Sequence, residues 1–322
     1  MIALAACVPT VQRMGSPTAS FQGPRFDVAA EHFVSFDGAE LGLTAWLPPE
    51  EPSHVIIALH GMNDYANTFY LAGPWFAERG VAVYAYDARG FGRSPNRGIW
   101  GGERLMTEDL RTAISVARHT HPNATINVVG DSMGAATAIA TFGAEGAPEV
   151  DRVVLVAPAV WGWSTLPDAY AATLWIGAHT FPWRAVQPPR NVVRRVTASD
   201  NQEALLQAGR APYMIWSTRI DTVYGLVSLM ERANERAANL QGEVLFLYGQ
   251  HDQIIPRASA LAAARRLPPD VRTVLYENGY HWLLRDLQRE VVFADILAFI
   301  EDSEAPFPSQ SPPLIPVVQA NR

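Results

Sequence analysis

Apolar residues gather in short, continuous runs along this chain of 322 residues. Residues 55–59 form one run, ending at His60-Gly61, and residues 81–86 form another, ending at Asp87. Residues 126–129, 153–156, 244–248 and 271–276 repeat the pattern. A short run that is apolar at every position predicts a strand buried on both faces. Helically spaced apolar positions follow at 68–79, 107–119, 133–142 and 287–300. Strands alternating with such helices predict an α/β fold, with a mostly parallel central sheet and helices on both faces. Upstream, residues 33–36 and 41–47 flank Asp37-Gly38 and read as a hairpin.

The alternation stops after Ala157-Pro158. Residues 159–240 hold several helical patterns and no strong strand, so they read as a helical cap inserted into the core. The expected organisation is core over 26–158, cap over 159–240 and core again over 241–302. From Ser303 onward five prolines fall within twenty residues, which predicts a disordered tail over 303–322.

Composition removes several classes of function. With 48% apolar and 18% charged residues the chain can build a core. All 25 basic residues are arginine, so lysine-dependent chemistries are excluded. The net charge is −7 and no basic block occurs, so no nucleic-acid partner is expected. The single cysteine, Cys7, can form no intrachain disulfide and no zinc-type cluster. No metal or cofactor is expected, and no protein partner is implied.

Leu4-Ala5-Ala6-Cys7 is similar to a bacterial lipobox, where a signal peptidase cuts before a cysteine that is then lipidated. On that reading residues 1–25 are a signal remnant and a tether, and lipidated Cys7 gives membrane association. A signal peptide needs a charged start and about 7–15 apolar residues. Only six uncharged residues precede Cys7, so this reading places the rest of the leader upstream. The alternative is a chance match in a cytoplasmic protein.

Chemistry enters at Gly130-Asp131-Ser132-Met133-Gly134, which matches G-x-S-x-G between a predicted strand and a predicted helix. Small residues there allow a sharp turn that presents the Ser132 hydroxyl at the sheet edge. A serine hydroxyl is a weak nucleophile and needs a base. His281 follows the last predicted strand, on the same edge as Ser132. His251 is the only competitor with supporting context. Asp252 follows the penultimate strand and can orient the base. Ser132, Asp252 and His281 are 120 and then 29 residues apart, in nucleophile, acid, base order. The developing oxyanion needs donors, expected from the backbone N–H groups of Met62 and Met133.

These segments, with Trp46-Leu47-Pro48, His60-Gly61-Met62-Asn63-Asp64, the stretch from Asp87 to Ser94, and Gly249 to Pro256, resemble a known family. It is the monoacylglycerol lipase, lysophospholipase and serine-aminopeptidase-like branch of the α/β-hydrolases, matched over about residues 32–300. The resemblance implies a serine hydrolase acting on esters of small or lipid alcohols. Asp131 stands where that family often has a histidine. Asp87 and Arg89 are read as bracing a turn.

Five of the nine tryptophans, Trp161, Trp163, Trp175, Trp183 and Trp216, fall in the cap. Trp161, Trp163, Tyr224 and Trp282 are expected to line an acyl pocket, and the alternative is that cap rings pack the cap's own core. Arg190, Arg194 and Arg195 read as a solvated face, and the alternative is contact with a phosphate or an anionic surface. The expected activity is metal-independent hydrolysis of a carboxylic ester, with a monoacylglycerol or lysophospholipid as the type of substrate. An aminopeptidase or acyltransferase on the same fold is the alternative, and a non-catalytic binding module a third.

Overall fold

Each apolar run becomes a strand because only a strand buries both of its faces between helix layers. The computed structural model describes residues 8–187 and 196–315. Cys7, Arg190, Arg194 and Arg195 lie outside the described residues. The strands are β1 (Arg25–Asp27), β2 (His32–Val34), β3 (Glu40–Trp46), β4 (His54–Leu59), β5 (Val81–Tyr86) and β6 (Thr125–Asp131). They continue with β7 (Arg152–Val156), β8 (Ala185–Val186), β9 (Thr218–Arg219), β10 (Glu243–Gly249) and β11 (Arg272–Tyr276). Nine of them form one sheet in the order β1-β2-β3-β5-β4-β6-β7-β10-β11. The pairings from β5 to β11 are all parallel, and β1, β2 and β3 add an antiparallel edge.

The helices are α1 (Ala72–Ala77), α2 (Glu103–Thr120), α3 (Met133–Phe142), α4 (Asp168–Thr180), α5 (Gln202–Arg210), α6 (Ile220–Arg236), α7 (Arg257–Ala264) and α8 (Arg289–Glu301). One sheet face is closed by α2, α3 and α6, with Leu110, Ile139 and Leu229 in its core. The other is closed by α1 and α8, with Phe76, Phe293 and Ile296. All ten residues of α3 are buried, because α6 covers the side turned away from the sheet. A small residue at the end of α3 allows that approach: a Cβ at Gly143 would collide with the Arg236 carbonyl oxygen of α6. The helix predicted over 68–79 divides into a 3₁₀ turn (Ala66–Phe69) and α1. Pro74 explains the restart, since proline fits only the first turn of a helix.

Residues 159–240 carry α4, α5 and α6, together with a small β8-β9 ribbon that the sequence pattern does not show. No helix among the described residues is long and apolar enough to cross a membrane.

Both ends of the described chain correct the sequence reading. The predicted disorder of the tail does not hold for residues 303–315. The Leu275 N–H donates to the Pro312 carbonyl at 2.8 Å, and the Ile315 N–H donates to Thr273 Oγ1 at 3.2 Å. Arg272 lies 3.7 Å from the Phe307 ring centroid, and Leu314 is buried. The reason is that β11 is a sheet edge, and an edge needs cover. Residues 10–15 of the expected tether are also pinned. The Gln12 N–H donates to the Trp100 carbonyl at 2.9 Å, and the Gly15 N–H to Asp37 Oδ2 at 2.7 Å.

Candidate active site

Ser132 occupies the turn between β6 and α3, with φ +51° and ψ −108°. Such a conformation is strained for a residue with a side chain, and the surrounding packing has to hold it. A Cβ at Gly130 would fall 2.6 Å from the Ala135 nitrogen, and one at Gly134 would collide with the Leu59 carbonyl oxygen. The two glycines therefore permit the tight strand-to-helix crossing, which aims the Ser132 hydroxyl over the ends of the parallel strands.

His281 and Asp252 come to the same edge on the loops after β11 and β10. The His251 N–H donates to the Gly279 carbonyl at 2.8 Å, which sets the two loops against each other. Gly249 permits this, since a Cβ there would lie 2.5 Å from the Gly279 and Tyr280 carbonyl oxygens. His281 Nε2 lies 3.0 Å from Ser132 Oγ, and His281 Nδ1 lies 2.8 Å from Asp252 Oδ2. All three side chains are buried. Asp252 Oδ1 accepts the N–H groups of Ile254 and Ile255 at 2.8 and 2.9 Å, so the carboxylate cannot turn away from His281. Burial alone would lower the His281 pKa, but the charge and hydrogen bond of Asp252 outweigh it and hold the imidazole above its usual value. His251, the competing base, is exposed and packs on Tyr280.

The loop after β4 brings Gly61 and Met62 to the same cavity. His60 shapes it from beneath. The Ala88 N–H donates to His60 Nε2 at 2.8 Å, which leaves the proton on Nδ1, 2.7 Å from the Gly61 carbonyl. Burial lowers the His60 pKa, and the neutral ring fits both bonds. Met133 opens α3, so its N–H is among those with no acceptor inside the helix.

Asp87 and Arg89 act in the frame around the site. Asp87 accepts the Ala66 and Arg93 N–H groups, each at 2.8 Å. Buried Arg89 forks between Asp37 and Asp109, with N···O distances of 2.7–2.9 Å.

A cavity of about 760 Å³ opens over Ser132 and His281. Met62, Met214, Ile215, Trp216, Ile254 and Trp282 supply its apolar lining. Of the expected pocket residues the structure brings Trp282 to the cavity. Trp161, Trp163 and Tyr224 are corrected: none of them lines the cavity. Trp163 donates to Ser228 Oγ at 3.1 Å and meets the Tyr224 ring at 5.1 Å, while Trp161 donates to the Thr165 carbonyl at 3.3 Å. Their indole N–H groups find partners there, and the rings pack against the core.

Several residues of the site carry no signal in the sequence. Arg285 pairs with Asp64 at 2.8 Å and lies 3.8 Å from the Trp282 ring centroid. Asp286 accepts Ser199 Oγ–H at 2.6 Å and the Tyr280 N–H at 2.7 Å, tying the His281 loop to the segment returning from the cap. Burial pushes the Asp286 carboxyl up to about 6.

The sheet order, the strained serine turn and the cap define an α/β-hydrolase. A sequence profile described as serine aminopeptidase, S33, matches residues 50–288. The chain belongs to that family. It is 28% identical over 284 residues to a monoacylglycerol lipase of Mycolicibacterium smegmatis, covering 84% of this chain and 96% of the relative. Among solved structures it is similar to a monoglyceride lipase from Saccharomyces cerevisiae, with TM-score 0.71 and 16% identity over 91% of this chain and 99% of the other. A monoacylglycerol lipase from Paleococcus ferrophilus gives TM-score 0.66 and 20% identity, over 81% and 98%.

Proposed function

We propose that this protein hydrolyses carboxylic esters through an acyl-enzyme formed on Ser132, and that its substrate is a lipid-like ester of the monoacylglycerol type. The hydrogen-bonded line from Ser132 through His281 to Asp252 is the observation that carries the reading. Ser132 Oγ attacks the ester carbonyl while its proton passes to His281 Nε2. The carbonyl π electrons move onto oxygen, where the Met62 and Met133 N–H groups receive the negative charge. Collapse expels the alcohol, which takes the proton from His281. Water, deprotonated by the same imidazole, then releases the acid and restores the serine. Asp252 keeps the tautomer correct and stabilises the imidazolium.

The apolar side of the cavity suits an acyl chain, and its volume falls within the range of about 300–1,000 Å³ typical of small-molecule sites. The description of the M. smegmatis relative as a monoacylglycerol lipase supports the same substrate class. Rates on acyl esters of increasing chain length, beside amino-acid anilides, test the reading. Faster turnover of the longer esters is expected. Preference for anilides would overturn it in favour of peptide hydrolysis.

The lipobox-like segment extends the proposal to location: lipidated Cys7 tethers the enzyme to a membrane. Thr10, three residues beyond Cys7, donates its N–H to Asp221 Oδ2 in the first turn of α6 at 3.2 Å. Mass analysis of the native N-terminus tests this, and an unlipidated chain beginning at Met1 would refute it.

A further inference from the structure

The proposed chemistry leaves one buried acid in the cavity without a task. Asp131 precedes Ser132 on β6, is 3% exposed, and lines the cavity with Ser132 and His281. Among the described residues its carboxyl accepts no hydrogen bond. Burial drives its pKa up to about 6, and what else acts on it is the charge of His281, Arg285, Asp64 and Asp252. Buried carboxyl groups are ordinarily hydrogen-bonded, because an unsatisfied one carries a desolvation penalty. The close approach is built in: a Cβ at Gly61 would come within 2.9 Å of Asp131 Oδ2.

The neighbouring polar groups are engaged with one another only in part. Arg285 Nη1 faces Asp64, and Asn63 Nδ2 donates to Thr218 Oγ1 at 2.7 Å. Asn63 Oδ1 and Arg285 Nε are both buried without a partner. The Asp131 carboxyl and Asn63 Oδ1 are thus acceptors left over among the cavity's lining, and Arg285 Nε is a donor, so a bound group that both donates and accepts, as a hydroxyl does, fits them. An acyl chain takes the apolar side, which leaves the polar end of Asn63, Asp64, Asp131 and Arg285 to the alcohol half of the ester. A cationic alcohol would meet the Arg285 charge there, whereas a neutral hydroxyl would not.

We propose that Asp131 is a specificity-determining residue, accepting a hydrogen bond from a free hydroxyl on the alcohol half of the ester. The proposal rests on the ester-hydrolase reading and adds to it the chemistry of the leaving group. The enzyme then favours partial esters of polyols over esters of simple alcohols with the same acyl chain.

The test measures kcat/KM for the glycerol monoester, the propyl ester and the choline ester of one fatty acid. Each is measured in the natural enzyme, in Asp131→Asn and in Asp131→Ala. The readout is the ratio of glyceryl to propyl ester within each protein, so a general loss of activity or of folded protein cancels. A hydrogen bond to a charged acceptor predicts a ratio of about ten to a hundred in the natural enzyme. In Asp131→Ala the ratio falls to within about threefold of one. Asp131→Asn keeps an acceptor of the same shape without the charge and gives an intermediate ratio. A ratio near one in the natural enzyme, or one unchanged in both variants, overturns the proposal while Ser132-dependent turnover leaves the hydrolase reading standing. Preference for the choline ester over the glyceryl ester also overturns it, because the reader would then be a cation site. Absence of Ser132-dependent turnover on every ester would bring down the hydrolase reading and this proposal with it.

Discussion

Replacing Asp252 by asparagine changes one oxygen to an amide NH₂ and almost no volume, and the surrounding bonds dictate how the new side chain sits. Oδ1 of Asp252 accepts two backbone N–H groups, from Ile254 and Ile255. An NH₂ cannot replace an acceptor facing two donors, so the asparagine carbonyl keeps that place and its NH₂ turns to His281 Nδ1, where Asp252 Oδ2 stood at 2.8 Å. Nδ1 must then accept, which moves the imidazole proton to Nε2. That nitrogen, 3.0 Å from Ser132 Oγ, can no longer take the serine proton. Amidating the acid of a comparable triad lowers kcat by about 10⁴-fold. At 1.36 kcal/mol per decade this is about 5.4 kcal/mol of lost transition-state stabilisation. The turn keeps its bonds, so the thermal midpoint stays within a few degrees. Initial rates on a chromogenic ester, beside a melting curve, provide the assay. Activity within tenfold of the natural enzyme, in a protein that melts normally, would refute this account of Asp252.

Two further perturbations follow from the same geometry. Arg89→Ala leaves Asp37 and Asp109 buried without their cation and is expected to cost about 3–5 kcal/mol of unfolding free energy in denaturant titration; a loss below 1 kcal/mol would show that the network is not structural. The His281 pKa lies above its usual 6.5, and the base must be neutral, so kcat/KM falls as pH drops through a value above 6.5. The Asp131 charge helps to raise it, so Asp131→Asn shifts this acid limb to lower pH; an unmoved or upward-shifted limb would contradict the coupling.

The strands and the ends they present were legible because an apolar run bounded by Gly, His or Asp is a local pattern, and β4 through β7, β10 and β11 follow it closely. The line of Ser132, Asp252 and His281 was legible for the same reason, since each residue sits just beyond such a run. What lies sideways was not. Trp161 and Trp216 are alike in local pattern, yet one packs on the core and the other lines the cavity, because the fold of the cap decides which way each ring faces. The Asp64–Arg285 pair joins residues from the loop after β4 and the loop after β11, and no spacing announces it. The tail misled because five prolines signal disorder in a free chain, whereas residues 303–315 lie along the β11 edge.

The central claim is that Ser132 is the nucleophile. Incubation with a fluorophosphonate, followed by intact-mass measurement and peptide mapping, tests it directly. One phosphonyl adduct is expected, on the peptide that contains Ser132, with ester turnover lost in step. Ser132→Ala should take up no label and turn over no ester. An adduct on another residue, or turnover that persists in Ser132→Ala, would contradict the account.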